Sequence, residues 1–223
     1  MPSKSTARDK LLEAAFAVIR AKGYTATTVD DLCAKASVTK GAFFHYFKSK
    51  DELAVAAANH WSDATGAFFA AAPYHQHEDP LDRVLGYLDF RKAILQGGVP
   101  EFTCLVGTMV QETYDSHPAI RAACDGAISA HAAKIEADIT EAMRRHDVSG
   151  AWTAESLAFH TQAVLQGAFI LAKAKGGPDI AAASVEHLKR YIELLFNKPS
   201  LSTRTPPSSS KAARTAKSKG RRS

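Results

Sequence analysis

The chain has 223 residues, 46% of them hydrophobic and 23% charged, with a formal net charge of +5, so it can bury a sizeable core in one or two domains. No run approaches the ~18 apolar residues of a membrane span, and the opening MPSKSTARDK lacks an apolar signal region, which predicts a cytoplasmic protein without a membrane partner. Three cysteines without paired spacing argue against a disulfide framework or structural zinc; no phosphate-binding glycine loop, nucleophile elbow or paired-histidine motif is present, so no metal, cofactor or catalytic residue is expected.

In chain order, a first helix is expected from about Ser5 to Lys22, with Leu12, Ala15, Phe16 and Ile19 at helical spacing and Gly23 as its stop. Thr28 caps a second, with Asp30 and Asp31 in its first turn and Val29, Leu32, Cys33 and Ala36 along one apolar stripe. The pattern breaks at Ser37-Val38 and restarts at once with Thr39 as a cap. Two short helices so closely joined fit a helix-turn-helix. In the third helix, Lys40 to Phe47, the rings of Phe43 and Phe47 define the core side. Gly41, Ala42 and His45 then point outward, Phe44 and Tyr46 flank them, and Lys40 sits at the start. Small residues beside donors suit close approach to base edges in a major groove. Ser49 and Glu52 form a capping box that starts a fourth helix, and Lys50 lies in its first turn, where main-chain N–H groups favour phosphate.

These residues resemble the amino-terminal domain of TetR-family transcriptional regulators over about residues 8 to 55: Gly23-Tyr24 to Thr28, the Ala-Ser-Val turn, and Lys40-Gly41 through Phe47 followed by Lys48-Ser49-Lys50-Asp51-Glu52-Leu53. The resemblance implies a homodimeric, all-α DNA-binding protein, usually a repressor, that a small ligand releases from its operator. It implies phosphate contacts by Thr28, Tyr46 and Lys50, with Thr39, Lys40, Gly41, Ala42 and His45 over the bases or at the groove edge. Position 44, commonly tyrosine in that family, is Phe44 here and lacks the hydroxyl.

Beyond the head the chain reads as successive helices, predicted at Lys50 to about Ala71, from Pro80 with Asp79 as cap to Gly97-Gly98, about Cys104 to Tyr114, and from His117-Pro118 to about His146. An eighth runs from Thr153 to Gly176-Gly177, and a ninth from Asp179 to about Phe196. No segment alternates like a strand. The expected architecture is a helix-turn-helix domain over residues 1–49, a helical effector and dimerisation domain over 50–198, and a disordered basic tail over 199–223. Charge supports that division: +3 over residues 1–60, −5 over 61–198 and +7 over 199–223, a DNA-reading head, an acidic body and a tail that either solubilises or binds DNA nonspecifically.

The eighth and ninth helices carry apolar faces, Leu157, Val164, Gly167, Ala168 and Leu171 on one and Val185, Leu188, Tyr191, Ile192 and Leu195 on the other. They fill the monomer core or, as the resemblance implies, form a two-fold four-helix interface that dictates a palindromic operator. For the effector site the sequence offers Phe90, Phe102, Cys104, Val106, Met109, Trp152, Phe159, His160, Gln166, Phe169 and Lys173, apolar bulk with a few polar groups. The stretches FTCLVGTMVQE and QGAFILAKAKG resemble a TetR branch whose members respond to electrophiles, oxidants or small unsaturated acids. Cys104 at a helix N-terminus near Lys173 would then be either a nucleophile for soft electrophiles or a silent buried thiol. Two further readings stay open: a constitutive architectural DNA-binding protein and an all-helical enzyme.

Overall fold

Side-chain caps set the boundaries of the first four helices. In the computed structural model, which describes residues 5–196, α1 (Ala7–Lys22) begins where Thr6 Oγ1 accepts from Asp9 N and Asp9 accepts from Thr6 N. Helix α2 (Val29–Ala36) repeats the box with Thr28 and Asp31, α3 (Lys40–Tyr46) starts where Thr39 Oγ1 accepts from Ala42 N at 3.1 Å, and Ser49 caps α4 (Lys50–Ala70). Between α2 and α3 the chain reverses at Ser37, whose φ of 54° is left-handed; Val38 N then reaches back to Cys33 O at 3.0 Å. A non-glycine residue in that region is disfavoured by about 1 kcal/mol.

The body follows as a single 3-10 turn (Pro73–Gln76), then α5 (Pro80–Ala93), α6 (Val99–Phe102), α7 (Leu105–Thr113), α8 (Pro118–Arg145), α9 (Ala154–Lys175) and α10 (Asp179–Leu195). Among the described residues there is no strand, so the all-α expectation holds. Helix α8, about 42 Å long at 1.5 Å per residue, is the spine, against which α4, α5, α7 and α9 pack, while α10 lies on α5 and α9. Arg83 ties α5 to α8 through Asp138 at 2.7 Å and through Glu141.

Two expectations need correction. The helix from Pro80 stops at Ala93 instead of continuing to Gly97-Gly98, and a one-turn helix with Pro100 in its first turn intervenes, so the predicted eighth and ninth helices are α9 and α10. Asp179 is the first residue of α10, after Pro178. Of the two alternatives for the apolar stripes of α9 and α10, monomer packing accounts for Leu157, Ala168, Val185, Leu188 and Ile192, which are buried in a core shared with Leu81, Val84, Leu88 and Ile139. Helical periodicity identifies an apolar face but not what covers it. The tail over 199–223 and the last two residues of the expected effector domain lie outside the described residues.

Two cores result. That of the body is described above; the other joins Leu11, Leu12, Phe16, Ile19, Leu32, Phe43, Phe47 and Leu53 of the head to Leu105, Met109, Ile120 and Cys124 of the body. Each fully buried large side chain contributes about 1.5–3 kcal/mol, so head and α7 share an apolar contact that resists independent movement.

Candidate DNA-contact surface and effector cavity

Phe43 is fully buried and Phe47 nearly so, which fixes the rotation of α3 and turns Lys40, Gly41, Phe44, His45 and Tyr46 outward, with Ala42 half-buried at the edge. Phe44 is 56% exposed on that outward face. Thr28 and Thr39 lie at the exposed starts of α2 and α3, and both hydroxyls already serve as caps. The Lys40 ammonium pairs with Asp30 Oδ1 at 2.7 Å, an exposed contact that it can exchange for a base edge at little cost.

Lys50 departs from expectation. Its ammonium turns inward, donating to Tyr24 O at 3.1 Å and Thr27 O at 2.9 Å, and lies 4.2 Å from the Tyr24 ring centroid. In this geometry the side chain braces the loop between α1 and α2, and only the helix start remains for phosphate. Tyr24 OH also donates to Asp51, and burial, with that acceptor adding to it, pushes the phenol pKa well up.

The same loop is clasped from the body. Glu112, near the end of α7, accepts from Tyr24 N at 3.2 Å and Thr25 N at 2.8 Å. Gly23, with φ 87°, allows this, since a Cβ there would collide with the Glu112 carboxylate. Arg20 makes a second bridge: its guanidinium donates to Phe16 O and to Glu101 O of α6, both at 2.9 Å, and lies over the Trp61 ring.

At the other end of α7, Cys104 is the N-cap, its Sγ accepting from Gly107 N at 3.4 Å. It borders a cavity with about 480 Å³ of unfilled space, mouth included, walled by α4, α5, α6, α7, α8 and α9. Phe102, Cys104, Val106, Gln166 and Phe169 all line it. Gly107 admits Gln166, whose Oε1 would lie 2.0 Å from a Cβ at that position. Lys173 borders a narrower extension on the far side of Cys104; its stem is exposed, but the ammonium turns in to donate to Thr108 Oγ1 at 2.8 Å, and desolvation lowers its pKa.

Five candidates are not at this cavity. Met109 is wholly buried in the core between head and body, and Trp152 packs on Phe196. Phe90 sits among Phe68, Phe69 and Tyr74. Phe159 is 42% exposed on the outer side of α9, where the neighbouring His160 meets Tyr191 edge-on at 5.3 Å. In their place the cavity recruits Trp61, Arg91, Thr103, Ile128, His131 and Gln162. The signal for His131 was its place on the Ile128–Ile135 stripe of α8, a polar group where a core residue belongs. Tyr87 OH lies 3.0 Å from His131 Nε2, and burial, with Arg91 and Lys134 adding to it, drives the imidazole pKa down to about 3.

Comparison with known proteins places this arrangement. A family model described as bacterial regulatory proteins, tetR family, matches residues 11–57, and one described as tetracyclin repressor-like, C-terminal domain, matches residues 80–188. The chain belongs to the TetR family. This TetR-family member is a DNA-binding transcriptional regulator. It is 26% identical over 182 residues to the transcriptional regulator AcuR of Cereibacter sphaeroides, covering 80% of this chain and 81% of that one. Its fold is similar to the regulatory protein TetR from Rhodobacter sphaeroides, with a TM-score of 0.74 at 24% identity over 83% of this chain and 98% of the other. It is also similar to a cysteine mutant of CifR complexed with 26-base-pair operator DNA, with a TM-score of 0.70 at 20% identity over 85% and 98% of the two chains. Among the described residues no helix is long and apolar enough to cross a membrane, and no cluster of three metal-ligating side chains occurs.

Proposed function

We propose that this TetR-family regulator is a cytoplasmic repressor that binds a palindromic operator as a homodimer and is released when a small molecule or electrophile acts on its body. The outward face of α3 carries the reading: two phenyl rings hold it from behind while Lys40, Gly41 and His45 stand exposed, with Thr28, Thr39, Phe44 and Tyr46 around them. The family neighbour seen with operator DNA supports it. For the dimer, the support is a second apolar surface on α9 and α10, where Ile170, Leu171, Tyr191 and Leu194 are 44–73% exposed.

Helix α7 couples the two functions, since Cys104 at its start borders the cavity and Glu112 near its end holds the loop before α2. A ligand that displaces α7 strains that clasp and tilts the head. Electrophiles with an activated C=C bond act at the same place: the Cys104 thiolate, its proton given to solvent, adds through Sγ to the terminal carbon, the π bond breaks, and the neighbouring carbon takes up a proton from solvent. Substitution Cys104→Ser is expected to keep operator affinity and abolish release by electrophiles; unchanged release would assign the response elsewhere.

The decisive experiment is selection of bound sites from random DNA by the full chain, followed by a salt titration on selected and scrambled duplexes. An inverted repeat with a large specificity ratio is expected. Enrichment of no sequence over bulk competitor would overturn the reading in favour of an architectural binder.

A further inference from the structure

We infer that the cavity beside α7 takes a small organic carboxylate, its anionic end paired with Arg91 and its apolar body against Trp61, Phe102 and Phe169. The inference rests on the effector reading above and specifies its ligand.

Arg91 reaches the cavity from α5 and is held there before any ligand arrives. Its Nε donates to Tyr87 OH at 2.9 Å, and its guanidinium carbon lies 4.6 Å from the Phe69 centroid and 5.5 Å from that of Tyr87. Tyr87 OH is also 3.0 Å from His131 Nε2, and burial keeps that imidazole neutral. Among the described residues no carboxylate pairs with Arg91, and no aspartate or glutamate lines the cavity. The lining therefore holds a fixed basic charge with no counter-charge and with the two Nη groups of its fork uncommitted. A half-buried guanidinium in that state is costly unless a bound anion or water completes it.

A second observation points the same way. Thr103 is 1% exposed, lines the same cavity, and its Oγ1 is the buried side-chain oxygen or nitrogen that finds no hydrogen-bond partner among the described residues. Buried hydroxyls without partners are rare in folded proteins and mark a missing ligand or water. Gln162 and Gln166 add polar atoms, while the rings of Trp61, Phe102 and Phe169 line the rest. This combination selects against neutral ligands, which leave Arg91 unpaired, and against phosphate dianions, which call for more than one cation. A planar carboxylate matches the guanidinium fork in both charge and shape.

The test is titration calorimetry on the full-length protein with acetate, butyrate, hexanoate and benzoate, each beside its amide. At least one carboxylate should bind, with its amide at least about tenfold weaker, since a hydrogen bond to a charged partner contributes that much or more. Arg91→Met should lose about tenfold to a hundredfold in affinity for that carboxylate. Arg91→Lys should recover part of it, and Thr103→Val should lose less. Should Arg91→Met fail to fold, as judged by its helical melting curve, the carboxylate–amide contrast in the unsubstituted protein still decides. Binding of no carboxylate, equal binding of acid and amide, or full affinity in Arg91→Met would overturn the inference. Operator binding measured on the same samples separates the two readings: intact operator binding without carboxylate recognition sinks only this inference, and carboxylate binding without operator recognition sinks the regulator.

Discussion

Substituting His131→Gln should change how the protein responds to acid more than how stable it is at neutral pH. The imidazole pKa falls from 6.5 to about 3 because the ring is buried, with the Arg91 and Lys134 charges adding to the effect. In the unfolded chain the ring takes up a proton near pH 6.5; in the folded protein it does so only near pH 3. Between those values the unfolded state holds one more proton, so stability is full above the upper value and declines as the pH falls. Each pH unit between the two values is worth about 1.4 kcal/mol. The ceiling is therefore about 5 kcal/mol over the whole window, and about 2 kcal/mol is lost by about pH 5. Glutamine keeps an oxygen to accept from Tyr87 OH and has no titration. Urea unfolding of both proteins, at one protomer concentration, gives the test. The stability advantage of the unsubstituted protein over the variant should shrink by about 2 kcal/mol between about pH 7.5 and about pH 5. A difference that stays constant with pH would show that the ring is not held neutral in the fold.

Other outcomes follow from the contact surface and the clasp. Lys40→Ala and His45→Ala should each cost about 1–3 kcal/mol of discrimination between operator and scrambled duplex, read by competition binding; retained sequence preference in His45→Ala would remove that residue from the groove. Lys50→Ala should lower the melting temperature of the head, since the ammonium holds the Tyr24 and Thr27 carbonyls. A flatter salt dependence with no loss of stability would place it on phosphate instead. Glu112→Ala removes two amide acceptors and should loosen residues 23–28 by about 1–2 kcal/mol. Faster amide exchange at Tyr24 and Thr25 is the readout, and unchanged exchange would refute the clasp. Leu171→Asp with Leu194→Asp should yield monomers in sedimentation without loss of helix; a persistent dimer would move the interface off α9 and α10.

The head was legible in the sequence because its signals are local. Thr28, Thr39 and Ser49 each cap within three residues, and Phe43 with Phe47 fixes the rotation of α3 without help from the rest of the chain. Even here the Lys50 side chain was not, since its destination depends on carbonyls more than twenty residues away. The turn at Ser37 carried no glycine to announce its left-handed backbone.

The cavity was less legible because its walls come from six helices brought together by burial. Cys104, Phe102, Gln166 and Phe169 could be named from their local context, but Arg91 and His131 acquire meaning only when α5 and α8 stand side by side. Their pattern, a cation or an imidazole at a core position of an otherwise apolar stripe, is the sequence trace that such a site leaves. The two faces of α9 show the same logic in reverse. Leu157, Leu165 and Ala168 are as apolar as Phe159, Ile170 and Leu171, yet the first set is buried and the second exposed, and only the position of α8 distinguishes them. A helix that is apolar on two sides has a use for both. With α8 covering one, the proposed homodimer would bury the other against a second copy's α9 and α10, a surface of matching character.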